Sequence, residues 1–152
     1  MNVDVHGFSA VALDNPKTSV NVGSVLRAAG CFGVKLVVLG SPRCRVRACT
    51  DTTKVYRDVP TLRVENVFDA IPFNCIPIGV DLIEGAHDLR TYTHPERAFY
   101  IFGAEDQTLG KRILSRCRDI IRIPSYGCLN LAAAVNVVLY DRVTKRGRKV
   151  EE

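Results

Sequence analysis

The 152-residue sequence contains no run of about 18 consecutive apolar residues, which excludes an ordinary membrane-spanning helix. Residues 1–14 lack the charged start, long apolar middle and small-residue cleavage site of a secretory signal, so a cytoplasmic protein is expected. The six cysteines, at positions 31, 44, 49, 75, 117 and 128, form no CxxC pair and stand mostly in apolar or strand-like surroundings. Reduced thiols and no metal site are therefore expected. Neither GxGxxG nor GxxxxGK[ST] occurs, which argues against a standard dinucleotide or P-loop enzyme. No segment is of low complexity. With 47% hydrophobic and 24% charged residues, disorder is expected only in the basic C-terminal tail, 142–152, which should fray from Lys145 to Glu152.

The length fits a single domain over 1–152, able to bury about two-thirds of its surface without disulfides or metal. A net charge of +5 favours a polyanionic partner. The basic residues fall in three clusters: Arg43, Arg45 and Arg47; Lys111, Arg112, Arg116 and Arg118; and Arg142, Lys145, Arg146, Arg148 and Lys149. Without matching acidic runs, these favour phosphate contacts over a merely solvated face.

Phe8 to Leu13 reads as a first strand, stopped by the turn signal Asp14-Asn15-Pro16. A helix follows, capped by Asn15 or Ser19 and ended by Gly30 or Gly33. Lys35 to Leu39 is the continuous apolar pattern of a strand covered on both faces. Beyond the arginine-bearing loop 41–47, a short helix is expected over Thr50 to Arg57, a brief strand over Leu62 to Val64, and a helix capped by Asn66 that runs to Ile71. Ile76 to Val80, Ala98 to Gly103 and Asp119 to Ile123 read as strands, Asp81 to Thr93 as loop with a turn of helix, and Leu109 to Cys117 as a helix basic on its outer face. The stretch from Arg122 to Asp141 organises the rest: a strand end, a polar turn at 124–128, and a helix from Leu129 so apolar that it should be fully buried or covered by a partner subunit. Repeated β(αβ) with short connections predicts a parallel sheet with helices on both faces.

In such sheets ligands bind beyond the carboxyl ends of the strands. Three segments qualify: Asn21 to Arg27 after the first strand, Gly103-Ala-Glu105 after Phe102, and Pro124 to Asn130 after Ile123.

NVGSVLRAAGCFG, IFGAEDQTLG and IRIPSYGCLNLAAAVNVVLYD resemble, in order and spacing, the three motifs of the SpoU family within the SPOUT superfamily of RNA methyltransferases. The resemblance spans nearly the whole chain, and the length is similar to that of minimal members that methylate the ribose of a tRNA anticodon-loop nucleotide. It implies a Rossmann-like α/β sheet with a C-terminal trefoil knot, a homodimer, and S-adenosylmethionine as cofactor. By the same resemblance Asn21 and Arg27 match the catalytic residues of the first motif, Glu105 the acidic residue of the second and Asn130 the Asn of the third. Val80, Gly103, Ile123, Cys128 and Leu129 match positions that enclose the cofactor. The chain departs from the family pattern twice: Cys128 stands where Ser is usual, and the loop from Pro124 to Cys128 is about three residues shorter than in many relatives.

What the resemblance implies is an RNA, most of all tRNA, ribose 2′-O-methyltransferase. rRNA methylation, a catalytically silent RNA-binding module of the same fold and a flavodoxin-like binder of another adenosine nucleotide are the competing readings. Arg27 is an awkward general base, because a guanidinium holds its proton above about pH 12. Anchoring the phosphate beside the target ribose suits it better.

Overall fold

The computed structural model describes residues 7–45 and 57–147. Seven strands form one parallel sheet: β1 (Phe8–Asp14), β2 (Leu36–Gly40), β3 (Thr61–Val64), β4 (Ile76–Val80), β5 (His87–Asp88), β6 (Arg97–Phe102) and β7 (Asp119–Arg122), in the order β3-β2-β1-β6-β4-β7-β5. Among the described residues the α-helices are α1 (Ser19–Cys31), α2 (Lys111–Leu114) and α3 (Leu131–Arg146).

Alternation along the central strands divides the core into two layers. Val11 and Leu13 of β1 and Tyr100 and Phe102 of β6 face α1 and α3, with Val22, Val25, Leu26, Val135, Val138 and Leu139 packed on them. Ala10, Ala12, Phe99 and Ile101 point the other way, against Val67, Phe68, Leu109 and Ile113. Both faces of the central strands are thus covered, which is why these strands read as continuous apolar runs.

Several boundaries differ from expectation, each for a local reason. The cap of α1 is Thr18, whose Oγ1 accepts from the Asn21 amide at 3.3 Å, and not Asn15 or Ser19. Asn15 is taken up by the preceding turn with φ of 57°. Helix α3 begins at Leu131, because Asn130 is its cap and accepts from the Ala132 and Ala133 amides. The Asn66-capped segment is one 3-10 turn, Val67–Ala70, and the expected helix over 109–117 shrinks to α2. The segment 81–93 holds the two-residue strand β5 and a 3-10 turn, Leu89–Thr91. The helix expected over Thr50 to Arg57 lies outside the described residues up to Tyr56.

The basic tail starts later than expected, since α3 runs through Arg146. Arg142 is only 2% exposed. It donates to the carbonyls of Pro95 (2.7 Å) and Glu96 (2.9 Å) and to the Tyr100 hydroxyl (3.1 Å), so it ties the end of α3 to the start of β6 and makes no phosphate contact. Lys145 bonds the carbonyl of Tyr92 and pairs with Asp141 at 2.8 Å. In the second cluster, Arg116 lies over the Phe68 ring and Arg118 pairs with Asp119. Charge clustering in sequence overstated the free cationic surface, because long basic side chains near strand ends find carbonyls and rings inside the fold.

Strand β7 lies between β4 and β5, although those two are joined by only residues 81–86. Val80 and His87 both register with Ile121, from opposite sides. The connection 81–86 therefore arches across β7 where that strand is about to end, and the Asp81 amide bonds the Ile121 carbonyl at 3.0 Å. No helix among the described residues is long and apolar enough to cross a membrane.

Candidate active site

At the carboxyl ends of β4, β6 and β7 lies a cleft of about 590 Å³. Its walls include Val80 and Asp81 at the end of β4, Gly103 to Leu109 after β6, Ile123 after β7, and Cys128 to Leu131 at the entry to α3. Every residue expected to enclose a cofactor, Val80, Gly103, Ile123, Cys128 and Leu129, lines it.

Three of the four expected catalytic residues meet at the lip. Asn21, in the first turn of α1, donates from Nδ2 to Glu105 Oε1 at 2.7 Å, and Asn130 Nδ2 donates to Asn21 Oδ1 at 3.3 Å. Glu105 accepts further bonds from the Lys17 amide (3.1 Å), the Thr18 amide (3.4 Å) and the Thr18 hydroxyl (3.2 Å). The carboxylate so closes the N-terminus of α1 from another segment, where the helix dipole favours negative charge. Partial burial acts to raise its pKa, but the bonds from backbone amides, Asn21 and Thr18 outweigh that and hold it below the ordinary carboxylate value. Glu105 is thus ionised at neutral pH and acts as an acceptor that orients Asn21.

Arg27 is elsewhere. Six residues beyond Asn21, it is about 9 Å further along the axis and about 120° round the helix, exposed, and beside a second hollow with Lys35, Asp58, Val59 and Pro60. Within this chain the structure does not bring it to the other three.

Two shaping residues escaped the sequence reading. Asp81 accepts from the Leu109 amide at 3.1 Å and the Leu82 amide at 2.7 Å, which joins the loops after β4 and β6 into one wall. An Asp directly after a strand end was the available signal. Gly103 was expected at the site, and its reason is now visible: a Cβ there would meet the Gln107 carbonyl at 3.0 Å and the Leu109 amide at 3.3 Å. The loop 107–109 folds back so closely that a side chain at 103 would have to push its backbone aside by a few tenths of an ångström.

The turn before α3 is open. Residues 124–130 are all exposed, and among the described residues 124–129 take part in no backbone–backbone hydrogen bond. Ser125 Oγ spans the turn, donating to the Gly127 carbonyl at 2.7 Å. The cleft this turn borders has an apolar side of Val80, Phe102, Leu109, Ile123, Leu131 and Ala134, and polar lining from Asp81, Glu105, Gln107 and Thr108. This combination fits a ligand with a flat apolar ring carrying polar edges.

A family model described as the SpoU rRNA methylase family matches residues 9–140. The chain belongs to the SpoU family. A protein named for the TrmH family of tRNA/rRNA methyltransferases in Staphylococcus epidermidis is 28% identical over 155 residues, covering 95% of this chain and 61% of that one. The chain so spans about three-fifths of the length of such relatives. Among solved structures, the SpoU methyltransferase AviRb from Streptomyces viridochromogenes superposes with a TM-score of 0.81 at 24% identity over 95% of this chain and 62% of AviRb. AviRb has also been solved in complex with the cofactor AdoMet. A structure bearing on the 2-OH methylation of C/U34 on tRNA has a TM-score of 0.78 at 21% identity, with 91% of each chain covered. These likenesses show that this SpoU domain has the fold of those enzymes; the alternative of a flavodoxin-like nucleotide binder is set aside.

Proposed function

We propose that this chain transfers a methyl group from S-adenosylmethionine to a ribose 2′-hydroxyl of RNA, with a tRNA anticodon-loop nucleotide as the favoured target. The observation that carries the reading is the hydrogen-bonded chain Glu105–Asn21–Asn130, which joins the polar residues of three motifs separated by up to 109 positions, at the lip of a cleft built from strand ends. The Asn130–Asn21 bond links α3 to α1, yet Glu105 and Asn130 also stay exposed and line the cleft, which a purely structural tie would not need. Relatives named for tRNA/rRNA methylation and the neighbour tied to C/U34 support the substrate class.

The cofactor would lie against Val80, Gly103, Ile123, Cys128 and Leu129, all of which line the cleft, and when bound it supplies an electrophilic methyl on sulfonium sulfur. The protein supplies alignment, worth roughly 7–11 kcal/mol where orientation is near ideal. In this reading Glu105 holds the amide of Asn21 in one orientation, and Asn21 and Asn130 hold the ribose edge. An unpaired nucleotide suits a cleft this open. Arg27, exposed and set apart from the other three residues, holds an RNA phosphate and not the hydroxyl proton.

Two structural expectations belong to the same reading. A C-terminal trefoil knot is supported by the arch of residues 81–86 across β7. A homodimer is supported by α3, which buries one face yet leaves Val137 38% and Tyr140 62% exposed. Mass spectrometry of ribose methylation in total RNA from cells with and without the gene tests the function. One 2′-O-methyl nucleotide should vanish from tRNA. A loss from rRNA would move the substrate, and an unchanged RNA from both would overturn the reading.

A further inference from the structure

Arg43 lies outside the three motifs, on the loop after β2. Its guanidinium grips Asp106 in a fork, Nη2 to Oδ1 at 2.7 Å and Nη1 to Oδ2 at 3.2 Å. Nε and Nη2 also donate to the Asn15 carbonyl at 3.2 and 3.1 Å, and the Arg43 amide bonds the Pro16 carbonyl at 2.9 Å. Lys17 Nζ is 3.8 Å from the same carboxylate. Two consecutive carboxylates, Glu105 and Asp106, therefore hold the turn between β1 and α1 from two sides. Glu105 takes its amides and Asn21; Asp106 reaches it through Arg43 and Lys17. Both partners of the Arg43–Asp106 pair are about a third exposed, so its attraction contributes little to stability. What a two-point fork gives is direction.

We propose that Arg43 is a positioning residue: by clamping Asp106 to the turn between β1 and α1, it sets the angle at which the adjacent Glu105 meets Asn21, and through Asn21 the position of Asn130. The inference rests on the reading of Glu105, Asn21 and Asn130 as the transfer site. Four of the five N–H groups of Arg43 already donate to protein oxygens, so to grip an RNA phosphate in a two-point fork it would first have to leave Asp106.

The test compares Arg43→Ala, Asp106→Asn, their double variant and Arg43→Lys. Transfer of labelled methyl from S-adenosylmethionine to total tRNA from cells lacking the gene gives kcat and KM, and amide hydrogen exchange reports on Lys17 and Thr18. Each single variant should lower kcat by about ten-fold, leave the RNA KM within about two-fold, and speed exchange at both amides; the double should be no worse than either single, because both break one contact. Arg43→Lys, which keeps the charge and loses the fork, should recover only part of kcat. A raised RNA KM with weaker salt dependence in Arg43→Ala, together with a neutral Asp106→Asn, would make Arg43 a phosphate anchor and overturn the proposal. Unchanged kcat and exchange in Arg43→Ala would overturn it as well. Full activity in Glu105→Gln would instead overturn the reading of the site beneath it, and the exchange data would still decide the clamp.

Discussion

Asn130 reaches Asn21 across 109 residues of sequence, its Nδ2 donating to the Asn21 Oδ1 at 3.3 Å, while its own Oδ1 caps α3. One side chain thus starts the last helix and completes the link to the first. Because Asn21 spends its Nδ2 on Glu105, the direction of every bond in this chain is set by the carboxylate at its end.

Glu105→Gln should therefore reverse part of the network. Glutamine brings two donors to a place where the Lys17 and Thr18 amides already donate, so one of its two positions faces like partners. Methyl transfer is expected to fall by roughly 10²-fold, about 2.7 kcal/mol in the barrier, with cofactor affinity within a few-fold. Calorimetry and single-turnover assays check it. Wild-type turnover would show that Glu105 is only a cap for α1.

Arg27→Ala should leave cofactor affinity within a few-fold and lower transfer by roughly 10²-fold. Arg27→Lys separates the roles. A phosphate anchor predicts partial rescue with a raised RNA KM, whereas a base predicts a pH–rate profile moved downward, since lysine has the lower intrinsic pKa. An Arg27→Ala enzyme that methylates at the wild-type rate in a single turnover removes Arg27 from the reaction.

Cys128→Ser should retain or tighten cofactor binding. Cys128 is exposed and lines the cleft, and a hydroxyl donates a stronger hydrogen bond than a thiol. Titration with S-adenosylmethionine measures the change. Lost affinity would mean that the short turn before α3 holds this position away from the ligand.

The opposite end of the sheet predicts a dependence of stability on pH. His94, 4% exposed, bonds the Tyr100 hydroxyl through Nδ1 at 2.6 Å and Asp141 through Nε2 at 2.7 Å. Burial lowers its pKa, and the contact with Asp141 offsets this only in part, with Arg142 and Lys145 also acting against the charged form. The folded state then binds the proton less readily than the unfolded one. Stability is present in full above the ordinary histidine value near 6.5 and is lost as pH falls from there through the lower folded value. Urea midpoints at pH 5 and pH 7 should differ more in the wild type than in His94→Gln; equal differences would place the pH dependence on other groups.

The strands were legible because burial on both faces leaves an apolar signature that needs no partner to be seen, as in KLVVL and AFYIFG. The site was legible only as three separate strand-end segments and a family resemblance, since nothing local tells Asn130 that its neighbour is Asn21. What failed were roles decided by distant geometry. Arg142 looked like part of a basic tail, yet α3 runs on past it and sets it at the amino end of the central strand β6, where it donates to the carbonyls of Pro95 and Glu96. Thr18 was passed over as a cap in favour of its neighbours because the turn chemistry of Asn15 competes for the same few residues.

The position of β7 also bears on the order in which the sheet can be assembled during synthesis. Strands β1, β2, β3, β4 and β6 pair only with one another on all edges but one, and all of them are made before residue 119. Strand β5 is made early too, but its sole neighbour in the sheet is β7. His87 and Asp88 must therefore wait, unpaired, until Asp119–Arg122 leave the ribosome, and the wall of the cleft formed by Ile123 and the turn before α3 comes into being in that same late step. A nascent chain halted before Asp119 would hold five paired strands and an unfinished cleft.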